Sequence, residues 1–243
     1  DTGGGRLMVR ILQMIGSLNV GGSQTMILNL YRNIDREKIQ FDFVLDHPDE
    51  RYFAADAEAL GARIYNLPGF TGFNAHEVKT AWDSFLTEHP EYKVLHSHVR
   101  SYASLYLPVA KKHGLKTIIH SHNTSNGSGV SSVVKQLMQR PLRNQADVLM
   151  ACSREAGEWL FGKEACERDN YIFLPNAVDT RRFRLPESVR EKYRAELKMT
   201  DKLVIGHVGR FQPAKNQSFL LFFLHSVLIT LQYGLAFCQK HPQ

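Results

Sequence analysis

Short apolar runs alternate with longer stretches of helical periodicity along most of the chain. Val9 to Ile15, Phe41 to Leu45, Arg63 to Leu67, Lys93 to His98, Thr117 to His122, Asp147 to Cys152 and Tyr171 to Leu174 read as strands. The segments between them place apolar side chains on one helix face, as Trp82, Phe85 and Leu86 do. The predicted helices run from about Ser23 to Asn33, Tyr52 to Leu60, Glu77 to Glu88, Tyr102 to His113, Val133 to Arg143 and Ser153 to Phe161, with a bend at Pro108. Nearly continuous apolar strands joined through helices specify an α/β fold, a doubly wound parallel sheet covered on both faces.

The alternation breaks between Pro175 and Pro186, which reads as a linker. A charged helix, Glu187 to Leu197, follows, and then an apolar run, Leu203 to Val208, that reads as the first strand of another domain. The expected organisation is a flexible leader over 1–8, a complete Rossmann-like domain over 9–178, and a linker with the truncated start of a second domain over 179–243. Phe219 to Cys238 carries no formal charge. A bilayer span needs roughly 20 such residues, but His225, Thr230 and Gln232 are unfavourable at mid-membrane. A core helix without its partners fits the same run.

Composition narrows the class. The 243 residues, 43% hydrophobic and 22% charged, are globular in character. A formal charge of +6 suits a nucleotide or an anionic membrane face. That charge is spread along the chain, which speaks against a nucleic-acid partner. Three cysteines, Cys152, Cys166 and Cys238, have no zinc-ligand spacing and read as reduced thiols of a cytoplasmic protein. No signal peptide is read before the first strand.

Three places carry candidate chemistry. The first is the loop Gly16 to Ser23, where Gly21 and Gly22 open a helix whose amides can face an anion or a sugar hydroxyl. It is neither a G-x-G-x-x-G fingerprint nor a Walker loop, which disfavours a dinucleotide oxidoreductase or a P-loop enzyme; a plain tight turn is the structural alternative. The second is a pair of His-Ser-His triplets at two strand ends, His96 with His98 and His120 with His122. Residues two apart share one face of a strand. A metal site, a general base, and an imidazole that holds a sugar at a cleft wall all fit; no metal is assigned, because no carboxylate is placed to complete a ligand set. His96 and His120 read as structural, whereas His122, followed by Asn123 and a polar loop, reads as functional. The third is Gly206 to Asn216, where Gly209 precedes Arg210 and Lys215. Fixed cations that meet the charge of a departing diphosphate lower the barrier by roughly 3 kcal/mol per well-placed donor; two solvated loop cations are the alternative.

Taken together, these segments resemble the retaining, nucleotide-sugar-dependent glycosyltransferases of the GT-B fold known as group 1, nearest to bacterial enzymes of exopolysaccharide or capsule assembly. Gly21-Gly22 resembles that family's N-terminal glycine loop. Lys116 to Thr124 resembles the strand that bears its active-site histidine, at His122. Ala151-Cys152-Ser153 resembles the strand end at the cleft, and Leu174-Pro175-Asn176-Ala177-Val178-Asp179 the junction between domains, with Ala177 where glycine is usual. Gly206 to Asn216 resembles the donor diphosphate motif. The resemblance covers residues 9 to about 221 and stops before the family's paired glutamates. It implies transfer with retention, with Arg210 and Lys215 stabilising the leaving diphosphate and no metal cofactor. It further implies that His122 positions the sugar, with Gly21, Gly22, Ser23, His98, Asn123, Ser153, Asn176 and Gly209 around the substrates. The implied partners are a nucleotide-sugar and a saccharide or lipid-linked acceptor, with possible peripheral contact to the inner membrane. With half of the donor cleft missing, weak or no turnover is expected. A non-catalytic binding module and a metal-dependent hydrolase built on the four histidines are the competing expectations.

Overall fold

The structure is a computed structural model that describes residues 8–125, 129–209, 211 and 215–227. Contacts divide the chain into two units, Asp1–Arg182 and Phe183–Gln243.

The first unit is a seven-stranded sheet in the order β3-β2-β1-β4-β5-β6-β7, parallel at every pairing. Its strands are β1 Val9–Met14, β2 Ile39–Leu45, β3 Ile64–Asn66, β4 Val94–Ser97, β5 Lys116–Ser121, β6 Val148–Ala151 and β7 Tyr171–Phe173. The helices between them are α1 Gly22–Asn33, α2 Ala54–Ala59, α3 Ala75–Glu88, α4 Ala103–Lys112, α5 Val130–Gln139, α6 Leu142–Gln145 and α7 Arg154–Phe161. All seven predicted strands are present. The one predicted helix over Val133 to Arg143 is instead α5 and α6, interrupted at Arg140 and Pro141. Pro141 has no N–H to continue the ladder, and it starts α6 by accepting at its carbonyl from Asn144 and Gln145. Pro108, by contrast, lies inside α4. Gly114 and Gly162 take positive φ, +79° and +84°, just past α4 and α7, where a side chain would be strained.

Alternation along the strands builds two cores. Leu12, Met14, Val44, Leu95, Ile119 and Leu149 face α3, α4, α6 and α7, and this core is centred on fully buried Trp82, which stacks on Tyr106 at 4.6 Å. Ile15, Phe41, Phe43 and Leu45 face α1 and α2, with Tyr31 stacked on Phe41 at 5.0 Å. One charged group breaks the apolar rule. Asp42 on β2 is fully buried and accepts from Arg10 Nε at 2.5 Å and from a second Arg10 nitrogen, from Tyr92 Oη at 2.7 Å and from the Arg63 amide at 2.7 Å. Burial pushes its carboxyl up, but these donors, Arg10 foremost, outweigh burial and hold it below the usual carboxylate range.

In the second unit, α8 spans Glu187–Glu196, and residues 217–227 are helical. The predicted strand over Leu203 to Val208 does not form. Residues 203–209 have no regular structure, and Leu203 is 83% and Val208 101% exposed. A strand is made by its neighbour's hydrogen bonds, and among the described residues of this unit there is no strand to supply them. The predicted leader lies, up to residue 7, outside the described residues, as does the apolar tail beyond residue 227. No helix among the described residues is long and apolar enough to cross a membrane.

Replacing Asp42 with alanine would leave the Arg10 guanidinium, the Tyr92 hydroxyl and the Arg63 amide without their acceptor. Uncompensated buried charge of this kind costs about 3 kcal/mol or more. Urea unfolding followed by the fluorescence of buried Trp82 should show a loss of that order for Asp42→Ala; a loss within about 0.5 kcal/mol, usual for surface substitutions, would mean the cluster is solvated.

Candidate functional site

The strand order reverses between β1 and β4, and open α/β sheets bind ligands in the crevice beyond the strand ends at such a switch point. Gly16 to Gly21 leaves β1 at that edge, His98 to Tyr102 leaves β4, and His122 to Ser125 leaves β5.

The four histidines meet there. Gln13 pairs with His96 across β1 and β4, and β5 runs beside β4 in register. With side chains alternating, His96, His98, His120 and His122 all project from the face that carries α1, and ring centroids of neighbouring pairs lie 4.1–5.4 Å apart. Two chains of hydrogen bonds run through the group. His98 Nε2 donates to Gln13 Oε1 at 2.9 Å, which leaves His98 Nδ1 to accept from His122 Nε2 at 2.7 Å. His96 Nε2 and His120 Nδ1 are 3.3 Å apart. The first chain fixes a tautomer. His122 spends its proton on His98, and its Nδ1, buried without a partner, is left with a free lone pair. His120 Nε2 is likewise buried and unpartnered.

Burial sets the charge of this cluster. It pushes His96 down to about 3 and His120 down to about 2, with neighbouring imidazoles adding to the shift. His98 falls well below 6.5 for the same reasons. His122 drops to about 4 through burial, helped by the Arg100 cation. All four are neutral at pH 7.

Sequence reasoning missed Arg100. Its guanidinium lies 4.7 Å over the Trp159 ring and donates to the Asn123 carbonyl at 2.7 Å, to the Asn123 side chain and to the Ser125 carbonyl at 2.6 Å. Burial lowers it to about 10, so it remains a cation. Together with His98, Val99, Ser101, Ser125, Lys135 and Gln139 it lines a cavity of about 250 Å³. A signal was available. From Tyr92 to Ala146 there is no Asp or Glu against eight Lys and Arg, whereas residues 8–91 carry seven Lys and Arg against twelve Asp and Glu. The basic charge is therefore concentrated from β4 to α6, where the sequence reading took it as spread.

The remaining predicted residues divide. Gly21 and Gly22 begin α1, which has no side-chain cap, and a side chain at Gly22 would meet nothing within 4 Å. Ser23 Oγ donates to Gln24 Oε1 at 3.0 Å, and Gln24 Nε2 donates to the Ser17 carbonyl at 3.1 Å. Asn123 Oδ1 is engaged by Arg100 and by the Ser125 amide. Ser153 caps α7, accepting from the Ala156 amide at 3.1 Å. Asn176 is exposed on the segment after β7. That segment and α1 border a second, largely apolar groove of about 320 Å³, which none of the predicted site residues lines. Gly209 and Lys215 belong to the second unit and are exposed, and Arg210 lies outside the described residues. With no strand over 203–208, the expected strand tip bearing these residues is not present.

This fold, with its switch-point crevice, defines a doubly wound α/β protein. The chain belongs to Glycosyltransferase Family 4, whose profile it matches over residues 20–182. It is 30% identical over 217 residues to the putative glycosyltransferase EpsF of Bacillus subtilis, covering 87% of this chain and 56% of that protein. Its fold matches the crystal structure of Anabaena HepE in complex with UDP, with a TM-score of 0.66 and 15% identity over 90% of this chain and 57% of HepE. A glycosyltransferase from Rickettsia africae matches at 0.61 with 12% identity, over 79% of this chain and 50% of that one. The fold is that of GT-B glycosyltransferase structures, and the chain spans about half the length of these relatives.

The histidines make stability pH-dependent. His96, His120 and His122 bind their protons near pH 6.5 when unfolded and only near pH 4 or below when folded, and His98 is shifted in the same direction. Folding therefore excludes protons, and its stabilisation is complete above pH 6.5 and lost as the pH falls. The loss approaches about 1.4 kcal/mol per pH unit for each imidazole. Urea midpoints should drop between pH 6.5 and 4, above the range where most carboxylates titrate; a flat profile there would show the cluster to be solvated.

Proposed function

We propose that the whole protein transfers a hexosyl unit from a nucleotide-sugar to a saccharide or lipid-linked acceptor in polysaccharide biosynthesis, with retention at the anomeric carbon. The observation that carries this reading is the Gln13–His98–His122 chain at the switch-point edge, in a chain that belongs to a glycosyltransferase family. A neutral imidazole with its tautomer set can accept a sugar hydroxyl at Nδ1, which would satisfy the nitrogen that is otherwise buried alone. Protonation of Nδ1 would remove that acceptor, so the depressed basicity of His122 suits the role.

His98 is a positioning residue that orients His122, and the open α1 start at Gly22 lets phosphate or acceptor approach amide groups. Arg210 and Lys215 would meet the charge that builds on the departing diphosphate, with no divalent metal needed for that step. Support for a nucleotide-sugar donor comes from the fold shared with HepE, whose crystal structures hold UDP and UDP-glucose. The net positive charge of +6 supports work at the cytoplasmic face of the inner membrane, peripheral to anionic lipid.

The test is incubation of the whole protein with a panel of UDP- and GDP-sugars, reading released nucleoside diphosphate and the anomeric configuration of the product by NMR. Turnover with at least one donor, retained configuration and no requirement for added magnesium are expected. His122→Ala should lower kcat/KM about 100-fold. His98→Ala should lower kcat more than it changes donor KM, because it misorients His122 and leaves donor contacts in place. A protein that releases nucleotide from none of the donors, or whose product is inverted, would overturn the reading.

A further inference from the structure

We propose that His96, His98 and His120 form a binding site for a divalent transition metal ion, with zinc as the representative case. Each offers a ring nitrogen, and these three atoms lie within 4.8 Å of one another. His96 Nε2 and His120 Nδ1 are 3.3 Å apart, which is the edge of a tetrahedron whose metal–nitrogen arms are about 2.0 Å. The site is preorganised by the sheet. His96 and His98 are two apart on one strand, and β5 runs beside it in register, so His120 is delivered to the same face by backbone pairing alone. Among the described residues, His96 and His120 hydrogen-bond only to each other, so an ion between Nε2 of His96 and Nδ1 of His120 replaces that one bond, its proton moving to the outer nitrogen of the same ring.

The donor set indicates which ions fit. Three imidazoles without carboxylate or thiolate suit zinc, copper and nickel and exclude magnesium, calcium and manganese as preferred guests. No acidic residue occurs from Tyr92 to Ala146, so the three imidazoles bring no carboxylate from their own strands to the site. Ligation by His98 takes one of the two nitrogens committed to Gln13 and His122, so one of those hydrogen bonds is exchanged for a coordinate bond. The inference stands on strand geometry, and a bound ion would compete with the Gln13–His98–His122 chain invoked for transfer.

The experiment is titration of the tag-free, chelator-stripped chain with Co²⁺, read by visible absorption, followed by displacement with Zn²⁺. A saturable band of tetrahedral intensity, a single ion per chain and a Kd of about 1 µM or tighter are expected. His96→Gln and His120→Gln should each weaken binding about tenfold or more. His47→Gln should leave it unchanged, since this exposed histidine pairs with Asp46 and with none of the three. Imidazole nitrogen NMR of the unsubstituted chain gives a readout that does not depend on variants folding: Zn²⁺ should shift His96, His98 and His120 and leave His113 in place. The absence of a saturable band, or shifts confined to surface histidines, would overturn the proposal.

Discussion

The hydrogen bond between His98 and His122 depends on the register of β4 against β5, and most of what is distinctive at the crevice depends on that bond. Each strand alternates, so a slip of one residue in β4 or in β5 would turn that strand's two histidines toward the α3–α4 core and bring its apolar residues to the crevice face. The register is held from both sides. Leu12, Leu95 and Ile119 pack against α3 and α4, and Gln13 on β1 accepts from His98. Apolar packing on one face thus fixes polar chemistry on the other.

The sheet buries polar groups in two different ways. Asp42 is kept ionised by a guanidinium, a phenol and an amide that together replace its water. The histidines have no counter-ion and are kept neutral instead. Both solutions avoid an isolated buried charge. They differ in consequence, because an ion pair locks β1 to β2, whereas neutral imidazoles leave lone pairs and tautomers for other uses.

The α/β class, the order of strands and helices, and the prominence of the His-Ser-His triplets were legible in the sequence, because parallel strands write themselves as apolar runs and histidines at i and i+2 share a face. The strand over Leu203 to Val208 was misread for the same reason: an apolar run signals burial only where a partner strand exists, and a single sequence does not display its partners. The break at Pro141 was legible in principle and was passed over in favour of periodicity. His98 was placed near the substrate, but its bond to Gln13, 85 residues away, follows from strand order and could not be read from spacing. Arg100 was missed because its importance comes from what surrounds it, Trp159 and the Asn123 loop, which lie far along the chain.

The segregation of charge across the sheet has a consequence of its own. Acid-rich elements, β1 to β3 with their helices, lie to one side of the switch point, and the acid-free stretch from β4 to α6 lies to the other. Residues 147–182, which include β6 and β7, again carry seven Asp and Glu against five Lys and Arg, so the middle of the sheet is a basic band between two acid-richer edges, and the crevice lies at the band's border. A ligand with an anionic end and an uncharged end feels a torque before it feels a contact, and is turned so that its anionic end leads toward β4 and β5. Salt shortens the reach of that torque to about 8 Å at physiological ionic strength, so the fold orients a ligand only in the last molecular diameter of its approach.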